Sequence, residues 1–194
     1  MRGALACICL LLVACGTQVT RIAPQEQVDL SGAWNDTDSR LVAEAMIEDA
    51  LSHPWITDFH RDEGHRPAVI LGSIRNLSHE HINVQAFLAD IERALVNSGQ
   101  VTFVANPQER RQVRDERLDQ DLHAQEATRN PAGQELGADF LLNGQINTII
   151  DANDRQQVRY YQVDLSMISL ADNRKVWLGQ KKIKKRVDNA RIRY

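Results

Sequence analysis

The spacing of hydrophobic side chains predicts two amphipathic helices. From Arg40 to Ser52, apolar residues fall on one helical face and acidic residues on the other, and Pro54 ends the pattern. Asn, Asp, Thr and Ser cluster just before this helix, as capping residues do. The second helix is predicted from an i, i+3, i+4, i+7 repeat that Gly99 terminates. Its apolar residues are Val84, Phe87, Leu88, Ile91 and Leu95.

Shorter apolar runs predict five strands. Pro67–Ile74 and Val101–Ala105 flank the second helix, and this order predicts a right-handed crossover between two parallel neighbours. Phe140–Ile150, Gln157–Leu170 and Lys175–Val187 are separated by Asn and Asp turns and predict three consecutive antiparallel strands. The residues expected to point into the core are Leu142, Ile146, Ile150, Tyr161, Val163, Leu165 and Met167. The predicted fold is α+β, a mixed and mostly antiparallel sheet with helices packed on one face.

Between these strands lies a highly charged stretch. Gln108–Glu126 is predicted to be a surface helix with a narrow buried stripe, and Pro131–Leu136 is predicted to be a short helical turn. The stripe would consist of Val113, Leu118 and Leu122.

The N-terminus has the pattern of an export signal. A short basic start and an apolar run precede Leu12-Val13-Ala14-Cys15, which resembles the bacterial lipobox. We therefore expect residues 1–14 to be a lipoprotein signal peptide and Cys15 to be the acylated first residue. The apolar run is too short to span a bilayer. An ordinary signal peptide that happens to contain cysteines is the alternative.

A leader and one domain are expected after the signal. Residues 15–28 predict a lipidated flexible leader, and residues 29–194 predict a single globular domain. About 13 leader residues reach at most about 45 Å, and their root-mean-square span is about 20 Å. All three cysteines lie within the first 15 residues, so the domain contains no disulfide and no thiolate metal site.

Charge is unevenly distributed along the chain. The net charge of the 194 residues is −3, which argues against nucleic acid as a partner. Residues 174–194 nevertheless hold nine Lys or Arg residues against one acidic residue. One interpretation is a docking patch for an anionic surface, with Lys181, Lys182, Lys184 and Lys185 as its contacts. The other is that these lysines protect an exposed sheet edge from pairing with another chain.

No catalytic motif is present in the sequence. There is no phosphate-binding glycine loop and no G-x-S-x-G elbow, and His79-Glu80-His81 lacks the H-E-x-x-H spacing of a zinc helix. We therefore predict no catalytic residue, no metal site and no cofactor. A pair of carboxylates suited to glycan cleavage is defined by its separation in space, so a glycan-cleaving enzyme stays as a third hypothesis.

The segment Asp29–Met46, DLSGAWNDTDSRLVAEAM, resembles the LpoB family of penicillin-binding-protein activators. The resemblance continues through His53-Pro54-Trp55, PAVILGSIRN and GADFLLNGQINTI. It implies an α+β domain similar to the N-terminal domain of TolB. It also implies a lipoprotein of the outer membrane, on the periplasmic face, that performs no chemistry and activates a bifunctional class A penicillin-binding protein.

Two points stay open at this stage. Trp34, Asp36, Asp38 and Arg40 are candidate partner-binding residues in the distinctive opening motif, but a helix cap and a packed Trp explain the same residues without a partner. The leader is also shorter than the long, proline-rich leaders of better-known members. A non-catalytic envelope-assembly or scaffold lipoprotein with the same fold is therefore the alternative function.

Overall fold

The computed structural model describes residues 17–188 of the chain, and this part contains four helices and five strands. The predicted signal peptide and Cys15 lie outside the described residues. In chain order the elements are α1 (Asp36–Ser52), α2 (Trp55–Glu63), β1 (Ala68–Asn76), α3 (Val84–Ser98), β2 (Thr102–Phe103), α4 (Pro107–His123), β3 (Phe140–Ala152), β4 (Gln156–Ser169) and β5 (Lys175–Asp188).

The five strands form one mixed sheet in the order β2-β1-β3-β4-β5. β1 is parallel to both β2 and β3, and β3, β4 and β5 are antiparallel neighbours. The α+β prediction is therefore confirmed, as are the parallel β1-α3-β2 unit and the three antiparallel strands. The long strands β3 to β5 make up most of the sheet.

The core lies between one face of the sheet and the helices α1 and α3. Each strand contributes alternate residues to this face, because successive side chains of a strand point to opposite sides. Register aligns Leu142 with Met167 and Ile146 with Val163, and all four are fully buried. Ile150 is an exception to the prediction, since it is 37% exposed. It lies near the β3–β4 hairpin, where residues 149–152 are all exposed.

Helix α1 begins earlier than predicted because of its cap. The Asn35 side chain accepts a hydrogen bond from the Asp38 backbone N–H, and the Asp38 carboxylate accepts one from the Asn35 N–H, each at 3.0 Å. This reciprocal capping box starts the helix at Asp36 instead of Arg40. Helix α2, which the sequence pattern did not indicate, follows Pro54 and buries only Trp55.

The predictions between β2 and β3 were partly wrong. Strand β2 has two residues instead of five, and a turn at Ala132–Gly133 replaces the helical turn. Helix α4 exists but has no buried residue, so the predicted stripe is wrong. Val113, Leu118 and Leu122 are 44%, 59% and 79% exposed. Helix α4 instead contacts the segment between itself and β3, where Arg114 forms a bidentate ion pair with Glu135.

None of the helices within residues 17–188 is long and apolar enough to cross a membrane.

Candidate partner-binding surface

Trp34 joins the opening motif to the core. Its ring packs edge-to-face against Phe87 of α3 and Tyr161 of β4, with centroid distances of 6.1 and 5.6 Å. Its indole N–H donates to Ser39 Oγ at 2.7 Å, so the polar part of the ring is satisfied inside the domain. The structure therefore uses Trp34 as a packing residue that positions the start of α1.

Asp38 and Lys185 form an ion pair that joins the opening motif to β5. Lys185 Nζ donates to Asp38 Oδ2 at 2.6 Å and to Asp29 Oδ1 at 2.7 Å. Burial disfavours the charged form of Lys185, but its bonds to Asp29 and Asp38 outweigh that effect and raise its pKa above the usual 10.5. The hydrogen bond from Lys185 also lowers the pKa of Asp29 below its usual 3.8. Lys185 and Asp38 are thus engaged with each other.

Glu80 is a further, half-buried point of contact between elements. In the sequence it stood out only within His79-Glu80-His81, which lacks the spacing of a zinc motif. Its carboxylate accepts hydrogen bonds from Tyr161 Oη at 2.8 Å and from Arg159 Nη1 at 2.8 Å. It also accepts one from the Trp34 backbone N–H at 3.2 Å. The pKa of Tyr161 is raised to about 12, mainly by burial and also by the hydrogen bond to Glu80. The loop before α3 is thereby held against both β4 and the opening motif.

Two of the four candidate residues in the opening motif are accessible. Asp36 is exposed in the first turn of α1, and Arg40 is half-buried. Arg40 makes an ion pair with Glu44 at 3.4 Å, a separation and exposure at which such pairs contribute little to stability. Of the four predicted residues, Asp36 is therefore exposed and Arg40 partly so, whereas Trp34 and Asp38 direct their polar atoms into the domain.

The four predicted lysines are divided between the two faces of β5. Lys182 and Lys184 pair with Gln162 and Tyr160 on the face of the sheet away from the helices, and both are exposed. Lys181 lies on the helix side but is exposed, and Lys185 is the half-buried member of the ion pair. Because β5 is the last strand of the sheet order, these residues also fit the edge-protecting interpretation.

The middle of the open face of β3 to β5 is polar and hydrogen-bonded. Asp164 accepts from Gln162 at 2.9 Å and from Gln180 at 2.8 Å. Burial raises the pKa of Asp164, but these amide bonds and the charge of Lys182 outweigh that effect and hold it below 3.8. Such a face offers donors, acceptors and positive charge to another surface.

A cleft of about 890 Å³ lies at the opposite end of the sheet and is lined by both acidic and basic side chains. Two of its carboxylates, Asp58 and Asp62, are paired with Arg61 at 2.9 and 3.0 Å. Within residues 17–188, no group of three or more His, Cys, Asp or Glu residues is arranged to hold a metal ion.

Comparisons with known proteins identify relatives of the chain. A family model described as "Peptidoglycan-synthase activator LpoB" matches residues 38–183. A search of curated proteins finds no match. Among solved structures, the LpoB C-terminal domain from Salmonella enterica is 15% identical with a TM-score of 0.43, and the alignment covers 76% of this chain and 99% of that one.

Two other solved structures show similar values. The NMR structure of E. coli LpoB is 14% identical with a TM-score of 0.42, covering 91% of this chain and 83% of that one. Lipoprotein GNA1162 from Neisseria meningitidis is 14% identical with a TM-score of 0.41, covering 65% of this chain and 88% of that one.

Proposed function

The chain belongs to the peptidoglycan-synthase activator LpoB family, and from this premise we propose that it binds and activates a bifunctional class A penicillin-binding protein. The observation that carries the proposal is the family match, which runs from the third residue of α1 into β5 and so includes nearly all of the folded domain. The family is regulatory, and the proposed activity is regulatory as well.

Activation by binding requires no active site. A protein that binds the competent conformation of a synthase more tightly than the inactive one raises the population of the competent state. The size of the effect is limited by the difference between the two affinities. An exposed surface of complementary charge is therefore sufficient. The exposed charged side chains at the start of α1 and along β5 support the proposal.

The synthase contact is assigned to the accessible candidate residues. These are Asp36 and Arg40 on α1 and Lys181, Lys182 and Lys184 on β5. Trp34, Asp38 and Lys185 support that surface from inside, because their polar groups are bonded within the domain. Exposed residues are assigned to the contact, and residues whose polar groups bond within the domain are assigned to its support.

The location is proposed from the N-terminal sequence and the family. Signal cleavage before Cys15 and acylation of that residue would anchor the chain in the outer membrane, with the domain in the periplasm. Two or more acyl chains give stable anchoring, because each buried methylene contributes about 0.8 kcal/mol. Residues 15–28 would serve as the tether.

Glycan polymerisation tests the function directly. Each class A penicillin-binding protein of the source organism is assayed in detergent with and without residues 29–194. We expect several-fold stimulation of one synthase, lost when the domain is heat-unfolded. No stimulation and no binding to any of these synthases would contradict the proposal and favour the scaffold lipoprotein.

Charge reversal tests the contact surface. The triple variant Lys181→Glu, Lys182→Glu, Lys184→Glu should bind the synthase more weakly, and its affinity should depend less on salt concentration. Lys185 is left unchanged because it stabilises the domain. The double variant Arg111→Glu, Lys175→Glu, on α4 and at the far end of β5, is the control. If the triple variant binds like the wild-type protein, the lysines only protect the sheet edge.

A further inference from the structure

The leader meets the domain at the C-terminal end of β5. Asn35 Nδ2 donates to the Val28 carbonyl at 3.4 Å and to Asp29 Oδ1 at 2.7 Å, and Asp29 also pairs with Lys185. Gly32 has a φ of 66°, and a side chain at this position would clash with Val187. The chain therefore enters the domain at residues 28 and 29, beside the last residues of the sheet.

A distinctive surface lies at the same end, on the sheet face away from the helices. Register places Ile149 of β3, Tyr160 of β4 and Lys184 of β5 side by side in one row. Lys182 and Arg186 lie on the same face in the adjacent rows, since they are two residues away along β5. We call Ile149, Tyr160, Lys182, Lys184 and Arg186 the tether-end patch.

The patch combines positive charge with apolar surface. Ile149 is 64% exposed, and the three cationic side chains are exposed as well. Three carboxylates lie near the patch. Asp164 is in the row next to that of Lys182 and accepts hydrogen bonds from Gln162 and Gln180. Asp151 is in the row of Arg186, and Asp188 at the strand end lies 3.7 Å from Arg186. Cations around an exposed aliphatic residue and a tyrosine match the chemistry of a membrane interface, where basic groups meet lipid phosphates and amphipathic rings lie at headgroup level.

We propose that the tether-end patch docks on anionic phospholipid headgroups of the membrane that carries the lipid anchor. The inference rests on the proposed function for the anchor at Cys15. A leader of about 13 residues, with a root-mean-square span of about 20 Å, holds the patch at high effective concentration above that membrane. A weak electrostatic contact then becomes a frequently occupied one.

Docking would regulate the proposed activity. Lys182 and Lys184 belong both to the tether-end patch and to the surface assigned to the synthase. A domain bound to its own membrane cannot present these lysines to another protein at the same time. The membrane-bound form is therefore a resting state, and a synthase with higher affinity for the lysines releases the domain from the membrane.

Vesicle co-sedimentation tests the inference without the acyl anchor. The unlipidated chain from residue 16 onward is mixed with vesicles of phosphatidylcholine alone or of equal parts phosphatidylcholine and phosphatidylglycerol. Binding is expected only to the anionic vesicles and should fall as salt is added. Equal binding to both vesicles, or binding to neither, would overturn the inference.

Two variants locate the contact. Lys182→Glu, Lys184→Glu should lower the partition coefficient by about tenfold or more, because two attractive charges become repulsive. Arg111→Glu, Lys175→Glu changes the net charge equally but lies outside the patch, and it should bind like the wild-type protein. Equal loss in both variants would show that net charge alone attracts the protein, and the patch would be rejected. Ile149→Ser should weaken binding with little change in salt dependence.

A competition assay separates this inference from the proposed function. For this assay the synthase is reconstituted in phosphatidylcholine vesicles instead of detergent. Added anionic vesicles should then reduce stimulation by the wild-type domain, whereas added neutral vesicles should not. Stimulation without any vesicle binding would retain the activator and overturn the membrane contact. Vesicle binding without stimulation of any synthase would retain the membrane contact and reject the activator.

Discussion

At the scale of single residues, charge and aromaticity were poor guides to which side chains are free to bind a partner. Trp34, Asp38 and Lys185 belong to the types expected at an interface, yet each directs its polar atoms to another residue of the domain. Asp36 and Lys184, one or two positions away, are exposed. In a helix cap and in a strand, neighbouring residues point in different directions, so accessibility changes from one position to the next.

Lys185 provides a test of this distinction. Lys185→Met keeps most of the aliphatic stem but leaves Asp38 and Asp29 without their cation, so the free energy of unfolding at neutral pH should fall by about 1–3 kcal/mol. Lys182→Met should change it by less than about 0.5 kcal/mol, since Lys182 is exposed. Urea denaturation measures both values, and equal losses would contradict the assignment of Lys185 as structural.

The same pair predicts how stability depends on pH. The pKa of Asp29 is lowered, so Asp29 contributes fully to the free energy of unfolding above the usual pKa of 3.8. This contribution disappears as pH falls through the lowered pKa. The pKa of Lys185 is raised, so its contribution is complete below 10.5 and disappears as pH rises through the raised value. The stability difference between wild type and Lys185→Met should be constant at neutral pH and shrink at both extremes. A difference that is unchanged at both extremes would contradict the ion pair.

Among the secondary-structure elements, the helices differ in how many side chains they bury in the core. Helix α3 buries Phe87, Ile91 and Leu95, whereas α4, although longer, buries no side chain. What stabilises α4 is local: a capping box at Asn106, a proline in its first turn and the ion pair between Arg114 and Glu135. Surface ion pairs contribute little free energy, so α4 depends on its cap more than α3 does.

Hydrogen exchange should show this contrast. The backbone amides of α4 should exchange by local opening at a lower free energy than those in the interior of α3, because opening α4 exposes much less buried apolar surface than opening α3. Asn106→Ala should speed exchange in α4 and leave α3 unchanged, since the loss of a helix cap costs about 1 kcal/mol. Equal protection of the two helices would contradict the expectation and indicate that α4 packs against the domain.

At the scale of the whole molecule, the folded unit extends beyond the segment that defines the family. The family match begins at residue 38, yet Trp34 packs on α3 and β4, and Asp29 pairs with β5. These contacts attach residues 29–34 to the domain directly after the leader. The first nine residues of the predicted domain, 29–37, therefore form part of the structure as well as its connection to the leader.

Truncation tests where the domain begins. A chain that starts at Asp29 should be as stable as one that includes the leader, because residues 17–27 have no hydrogen bond to the rest of the domain within the described part of the chain. A chain that starts at Asp38 should lose at least about 3 kcal/mol, since it lacks the packed Trp34 ring and the Asn35 cap. Denaturant midpoints measure both, and equal stability would place the boundary after Trp34.

Local sequence patterns were sufficient to predict most of the secondary structure and the class of fold. Periodicity identified α1, α3 and the long strands, and it identified the inward residues of β4, because a repeat of buried positions is written along a single element. It failed where an element lacks a buried repeat, as in α2 with its single buried Trp55 and in α4 with none. The lipobox and the family resemblance are likewise continuous stretches of sequence.

The contacts between residues far apart in the chain could not be predicted from local patterns. Glu80 and Tyr161 are 81 positions apart, and Asp38 and Lys185 are 147 apart, so no local pattern relates them. Strand order and register bring these pairs together, and the same register sends Lys182 and Lys184 to the open face while Lys185 turns to the helices. Side-chain direction alternates along β5, but which direction leads to the core depends on where the helices pack.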